Sequence, residues 1–137
     1  MELSLETMSL RILIADDSRT VRHSLHGLLE QNPDWTVCAE AVDGSDAIAK
    51  AQPYRPDVMV LDFFMPGMTG IDAAGILQNL LPSVPILIVT LYISAQLIAQ
   101  AKSVGIKGAV SKADTHQIVN GVDALANQRT FFIESEQ

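Results

Sequence analysis

The chain has 137 residues, 48% of them hydrophobic, with 16 acidic against nine basic side chains and a formal net charge of −7. That length allows one domain with a proper core, and scattered Lys and Arg on an acidic chain argue against a face that binds nucleic acid. A single cysteine, Cys38, excludes an internal disulfide and suits a reducing compartment, and no apolar run reaches the roughly 18 residues of a membrane span.

Residues 1–9 hold two glutamates and no basic segment, unlike a secretory signal, and read as a flexible leader on a cytoplasmic protein. Leu10 to Ala15 predicts a short apolar strand that runs straight into Asp16-Asp17. Ser18 stands where a helix cap is needed, and Val21, Leu25, Leu28 and Leu29 form one face of the helix that follows. Trp35 to Ala41 predicts a second strand, with Cys38 as a small buried apolar residue. Asp43-Gly44-Ser45 then turns into a helix over Asp46 to Gln52, which Pro53 is expected to stop.

From Asp57 to Gly70 the chain reads D-V-M-V-L-D-F-F-M-P-G-M-T-G. Val58 to Leu61 has the length and β-branched character of a strand covered on both faces, and it ends at a carboxylate, Asp62. Pro66 and Gly67 make a tight turn, and Thr69 offers a hydroxyl to cap the next helix. That helix, Ile71 to Leu81, carries Ile71, Ala74, Ile76, Leu77 and Leu80 at helical spacing. Pro85 to Thr90 is a fourth strand ending in a hydroxyl residue, Ser94 to Val104 a fourth helix, and Lys107 to Ser111 a fifth strand ending at Lys112. Asp114 and Thr115 open a last helix reaching Asn127, and Phe131-Phe132-Ile133 follows as an apolar tail.

Strands alternating with helices give right-handed βαβ units and so a parallel sheet with helices on both faces. The expectation is one doubly wound α/β domain over residues 10–127, with 128–137 as a C-terminal tail or the start of a linker. In such a sheet all carboxyl ends of the strands lie on one side. Asp16, Asp17, Asp62, Thr90 and Lys112 therefore converge although they are far apart in sequence. Three carboxylates held close repel one another unless a proton or cation relieves them, and a hard divalent ion, Mg2+, suits a site with few carboxylates and several waters. With a lysine and a hydroxyl added, the set describes a place built to receive a phosphoryl group, with Asp62 as the nucleophile.

Over Leu10 to Leu125 the chain resembles the receiver domain of two-component response regulators, most of all those of the NarL/LuxR type that precede a helix-turn-helix. The resemblance rests on Asp16-Asp17, D-V-M-V-L-D followed by M-P-G-M-T-G, Thr90, and the step from Gly105 to Lys112-Ala113-Asp114. It implies a flavodoxin-like fold with five strands in the order 2-1-3-4-5. It also implies phosphoryl transfer from a histidine kinase or phosphotransfer protein to Asp62. Asp17, Asp62 and the backbone carbonyl of Phe64 would hold Mg2+, with Asp16 reaching it through water. Thr90 and Lys112 would hold phosphoryl oxygens, and their movement would reshape the face made by the fourth helix, fifth strand and last helix; two copies of such a chain can pair through the first and last helices or through the fourth-helix face. No turnover of an external substrate is implied.

Two positions depart from the family pattern. Ala109 stands where an aromatic residue usually reports the position of Thr90, and Tyr92 is the one nearby aromatic that could take its place. Ala113 replaces the usual proline, so the Lys112–Ala113 bond is expected to be trans, a cis bond there costing about 2.5–4 kcal/mol. Ala109 supports an alternative reading as a degenerate receiver that binds partners without phosphorylation. A Mg2+-dependent phosphohydrolase with an aspartate nucleophile is a further alternative, but it wants an acid where Phe64 stands. His23 and His26 offer only two ligands and read as solvated.

Overall fold

The computed structural model describes residues 9–133; residues 1–8, most of the expected leader, and 134–137 lie outside the described residues. The strands are β1 (Leu10–Ala15), β2 (Trp35–Ala41), β3 (Val58–Asp62), β4 (Ile86–Thr90), β5 (Gly108–Ser111) and β6 (Phe131–Phe132). Between them lie α1 (Arg19–Leu29), α2 (Gly44–Tyr54), α3 (Gly70–Leu80), α4 (Ala95–Ser103) and α5 (Thr115–Ala126). All neighbouring strands are parallel, in the order β2-β1-β3-β4-β5-β6.

The sheet separates two apolar layers because successive strand residues point to opposite faces. On one side Ile12, Ile14, Val58, Val60, Leu87, Val89 and Val110 meet Leu25 and Leu29 of α1 and Ile118, Val122 and Leu125 of α5. On the other, Leu13, Met59, Leu61, Ile86 and Ile88 meet α2, α3 and α4. There the contact surfaces are built from Ala47, Ala51, Ala73, Ala74 and Ala101, all fully buried, whose small side chains let helix backbones lie close to the sheet. Ser18, Asp43, Thr69, Ser94 and Asp114 each accept a backbone N–H at a helix start, and Asp72 returns the bond to the Thr69 amide in a capping box.

Three expectations are corrected. The sheet has six strands, not five: Phe131 N–H donates to the Lys107 carbonyl at 2.9 Å and Ile133 N–H to that of Ala109 at 3.1 Å. Its two phenylalanines straddle the sheet edge, Phe131 against the α5 layer and Phe132 against the α4 layer. Pro53 does not stop α2 but sits inside its last turn, where the absent N–H costs a single bond. Arg55, in the left-handed region with φ 51°, then ends the helix, and the Arg11 guanidinium donates to the terminal carbonyls of Tyr54 and Arg55. In α3 the buried side chains are Ala73, Ala74 and Leu77, whereas Ile76 and Leu80 are exposed; Ala74 and Leu77 stay in the expected stripe, and Ala73 replaces the larger residues at the contact.

The strand order reverses between β1 and β3: β1 continues through α1 to β2 on one side, and the chain then crosses to β3 on the other. In open α/β sheets the crevice above such a reversal is where ligands bind.

Candidate functional site

Asp16 and Asp17 follow β1 directly and Asp62 ends β3, so the three acids flank that crevice. Asp16 is fully buried, Asp62 is 4% exposed and Thr90 2% exposed, while Asp17 is open to solvent. The acidic turn is fixed by its backbone. Asp16 N–H donates to the Ala41 carbonyl at 3.1 Å, and Ser18 N–H donates to Asp16 Oδ1 at 2.8 Å. One carboxylate oxygen from each of Asp16, Asp17 and Asp62 lies within 4.8 Å of the others.

Lys112 comes to this group from the far side of β4. Its Nζ stands 2.9 Å from Asp16 Oδ2 and donates to Asp62 Oδ2 at 3.2 Å. The closer approach is an ion pair, and no donor besides that ammonium reaches the buried Asp16 Oδ2. Lys112 N–H also donates to the Thr90 carbonyl at 2.7 Å, fastening the end of β5 to that of β4. Every described peptide bond is trans, Lys112–Ala113 included, and the lysine reaches both acids in that form.

Burial pushes the Asp62 carboxyl above its ordinary range, and the Asp16 charge pushes it further. Lys112 and the Phe64 amide pull the other way but do not cancel the rise. For Lys112 burial is the largest single influence and favours the neutral amine, yet the bonds and charges of Asp16 and Asp62 together leave its pKa raised. The ammonium thus stays charged against three carboxylates. One positive charge does not balance them, and the buried Asp16 Oδ2 has that shared ammonium as its one partner among the described residues. These residues fit a hard divalent cation held by oxygen ligands.

Around this centre Gly70 opens α3 so close to the end of β3 that a Cβ there would lie 2.5 Å from the Asp62 carbonyl oxygen. Phe63 packs into the core and meets Phe64 edge to face, ring centroids 4.7 Å apart. Phe64 and Tyr92 form an apolar rim, 67% and 80% exposed, joined by Leu91. Tyr92 N–H donates to Thr90 Oγ1 at 3.4 Å, but its ring projects away from the core. Ala109 is fully buried, opposite Ile88 of β4 on one side and Phe132 of β6 on the other. A cleft of about 500 Å³ at the opposite pole, near Asp57, Pro85, Lys107 and Arg129, touches none of these groups.

Sequence reasoning passed over a second set of charges beside the site. Arg22 of α1, its side chain 14% exposed, donates from Nη1 to the Asp16 carbonyl at 2.8 Å and pairs through Nε with Glu40 Oε1 at 3.3 Å. Glu40 Oε2 lies 2.7 Å from His26 Nδ1, and His26 Nε2 is 3.3 Å from Glu30. The hydrogen bond that His26 donates to Glu40, followed by the glutamate charges, raises the His26 pKa despite partial burial. A signal was available: Arg22 falls at i, i+3, i+7 with Leu25 and Leu29, a charge on a buried stripe.

Comparison with known proteins gives a consistent picture. Residues 12–123 match the family model described as the response regulator receiver domain. An uncharacterised transcriptional regulatory protein of Bacillus subtilis, YxjL, is 32% identical over 125 residues, 90% of this chain and 57% of its own length. Another from the same organism, LnrK, is 35% identical over 109 residues, 77% of this chain and 50% of its own. This chain thus spans about half the length of those curated relatives. Among solved structures, a LuxR-family two-component response regulator from an Aurantimonas species superposes with a TM-score of 0.87 at 30% identity, covering 90% of this chain and 89% of the other. A signal receiver domain from Mycobacterium tuberculosis gives 0.83 at 27% identity, covering 88% and 98%.

Proposed function

The chain belongs to the response regulator receiver family, and from that premise we propose that it accepts a phosphoryl group on Asp62 from a histidine kinase or phosphotransfer protein and changes what it binds as a result. The observation that carries the reading is the contact of the lysine just after β5 with the acid just after β1 and the acid that ends β3, Lys112 with Asp16 and Asp62. A lone strand-end acid caps a helix or faces water; this group is buried, crowded and short of positive charge.

In the transfer an Asp62 carboxylate oxygen attacks phosphorus as the bond to the donor's imidazole nitrogen breaks, and that nitrogen keeps the electron pair. Asp17, Asp62 and the Phe64 carbonyl would hold Mg2+, with Asp16 reaching it through water. When bound, the ion supplies the positive charge that phosphoryl oxygens require. Lys112 exchanges a carboxylate contact for a phosphoryl oxygen, and Thr90 donates its hydroxyl to another. Because β4 and β5 are fastened beside Thr90 and Lys112, their adjustment passes to the α4–β5–α5 face, the surface assigned to partner binding.

The receiver unit is assigned to residues 10–127, with the segment from 128 as tail or linker whose first part adds β6. The chain carries out phosphoryl transfer to itself and slow loss of the group, with no turnover of an external substrate. No helix among the described residues is long and apolar enough to cross a membrane, and a cytoplasmic location fits the single cysteine. With a net charge of −7, we assign this chain no direct contact with nucleic acid.

Incubation with acetyl phosphate, with and without Mg2+, followed by intact-mass measurement tests the proposal. The wild-type chain is expected to gain one phosphoryl mass only with Mg2+, and Asp62→Ala none. No gain in the wild type would leave the phosphorylation-independent interaction module, which the buried Ala109 favours, as the better reading.

A further inference from the structure

We infer that Arg22 is a positioning residue for the metal, holding the acidic turn in binding geometry from outside the site, with Glu40 holding Arg22. The inference rests on the reading of Asp16, Asp17 and Asp62 as a Mg2+ site. It follows from how few constraints the turn has. The Asp16 N–H is tied to β2 and the Asp16 carboxylate to the Ser18 amide. The Asp16 carbonyl, one atom before the Asp17 amide nitrogen, accepts from a side chain instead: the Arg22 guanidinium at 2.8 Å. The orientation of the Asp16–Asp17 peptide plane therefore depends on a group in the first turn of α1.

That guanidinium is itself held. It is mostly buried, its Nε meets Glu40 Oε1 at 3.3 Å, and the other Glu40 oxygen is engaged by His26. The Glu40 backbone carbonyl accepts from Lys50 Nζ at 2.8 Å, so the β2 segment that carries Glu40 is anchored from α2 as well. A planar fork with several fixed donors can serve a carbonyl and a carboxylate together, which a lysine ammonium does less well. Arg22 meets the site through the Asp16 backbone carbonyl and not through a carboxylate of the three acids. Its chemistry is to aim the acids, not to meet phosphorus, and outer-shell partners of this kind typically account for about 10–100-fold in metal affinity.

The test compares wild-type chain with Arg22→Met, which keeps the apolar stem and removes the donors, and Glu40→Gln, which keeps an acceptor for Arg22 but not its charge. Mg2+ affinity is read by calorimetry without any phosphodonor, amide exchange at Asp17 and Ser18 is read in metal-free protein, and labelling by acetyl phosphate is read across a Mg2+ titration. Arg22→Met is expected to weaken Mg2+ binding by about tenfold or more and to speed exchange at the turn. Its labelling rate at saturating Mg2+ is expected to return to the wild-type value, because Asp62 and Lys112 are untouched. Glu40→Gln is expected to weaken binding by a smaller factor than Arg22→Met, and it decides the matter should Arg22→Met fail to fold. Unchanged Mg2+ affinity in the folded variants overturns the role of Arg22, as does a labelling deficit that saturating Mg2+ does not repair. A wild-type chain that binds no Mg2+ refutes instead the reading of the acidic site on which this inference rests.

Discussion

Asp62 costs the fold stability to keep ionised. Burial and the Asp16 charge raise its pKa, so the folded state holds the Asp62 proton more tightly than the unfolded chain does. That contribution is fully present below the ordinary aspartate value of 3.8 and is lost as pH rises through the elevated folded value. In metal-free protein, Asp62→Asn is therefore expected to raise the thermal midpoint near pH 7, with the gain shrinking to nothing as pH falls below about 3.8. An equal gain at every pH would show that charge is not the cause. The exposed rim supports a second prediction. Phe64, two residues after Asp62, and Tyr92, two residues after Thr90, are exposed, and we expect their rings to close over a phosphoryl group on Asp62 and hinder the attacking water. The Phe64→Asn, Tyr92→Glu double variant is expected to lose its phosphoryl group faster, on the order of tenfold or ~1.4 kcal/mol of barrier. An unchanged rate in a decay assay by intact mass rejects that shielding.

Secondary-structure elements show where the sequence was legible. β1 falls at the expected residues because it is a bounded, mostly apolar run, β2 falls where Trp35, Val37 and Ala41 set an inward face between polar residues, and the caps at Ser18, Thr69 and Asp114 are local hydrogen bonds that short-range chemistry decides. β6 was not legible as a strand, since three apolar residues gain their structure only from an edge already formed. That edge is prepared for them: a Cβ on Gly108 would lie 2.8 Å from the Phe131 carbonyl oxygen and 2.8 Å from Leu87. Gly108→Ala is accordingly expected to destabilise by about 1–3 kcal/mol and to speed amide exchange at Phe131 and Ile133 more than in β1. Uniform exchange across the sheet would show that β6 does not depend on that contact. Between α1 and β2, the raised His26 pKa gives stability that is complete below pH 6.5 and fades as pH rises through the elevated value. His26→Gln should therefore lower the thermal midpoint at pH 5.5 and hardly at pH 8.5. The histidine looked solvated in the sequence because its partners, Glu30 and Glu40, include one that only the packing of α1 on β2 brings near.

For the molecule as a whole, topology does the chemical assembly. Reversing the strand order between β1 and β3 opens a crevice, and parallel strands deliver Asp16, Asp17, Asp62, Thr90 and Lys112 to the same end of the sheet. The convergence could be read from strand ends alone, since each group directly follows an apolar run. Arg22 and Glu40 could not be paired that way, because neither ends a strand and their contact depends on how a helix lies against its neighbour. Phosphorylation at Asp62 is the claim on which switching, metal use and kinase partnership all depend. Its most direct measurement is to treat the chain with acetyl phosphate and Mg2+, reduce the acyl phosphate with borohydride, and sequence the peptides. Conversion of Asp62 alone to homoserine is the predicted result; no conversion, or conversion at Asp16, Asp17 or another acid in its place, would contradict the account.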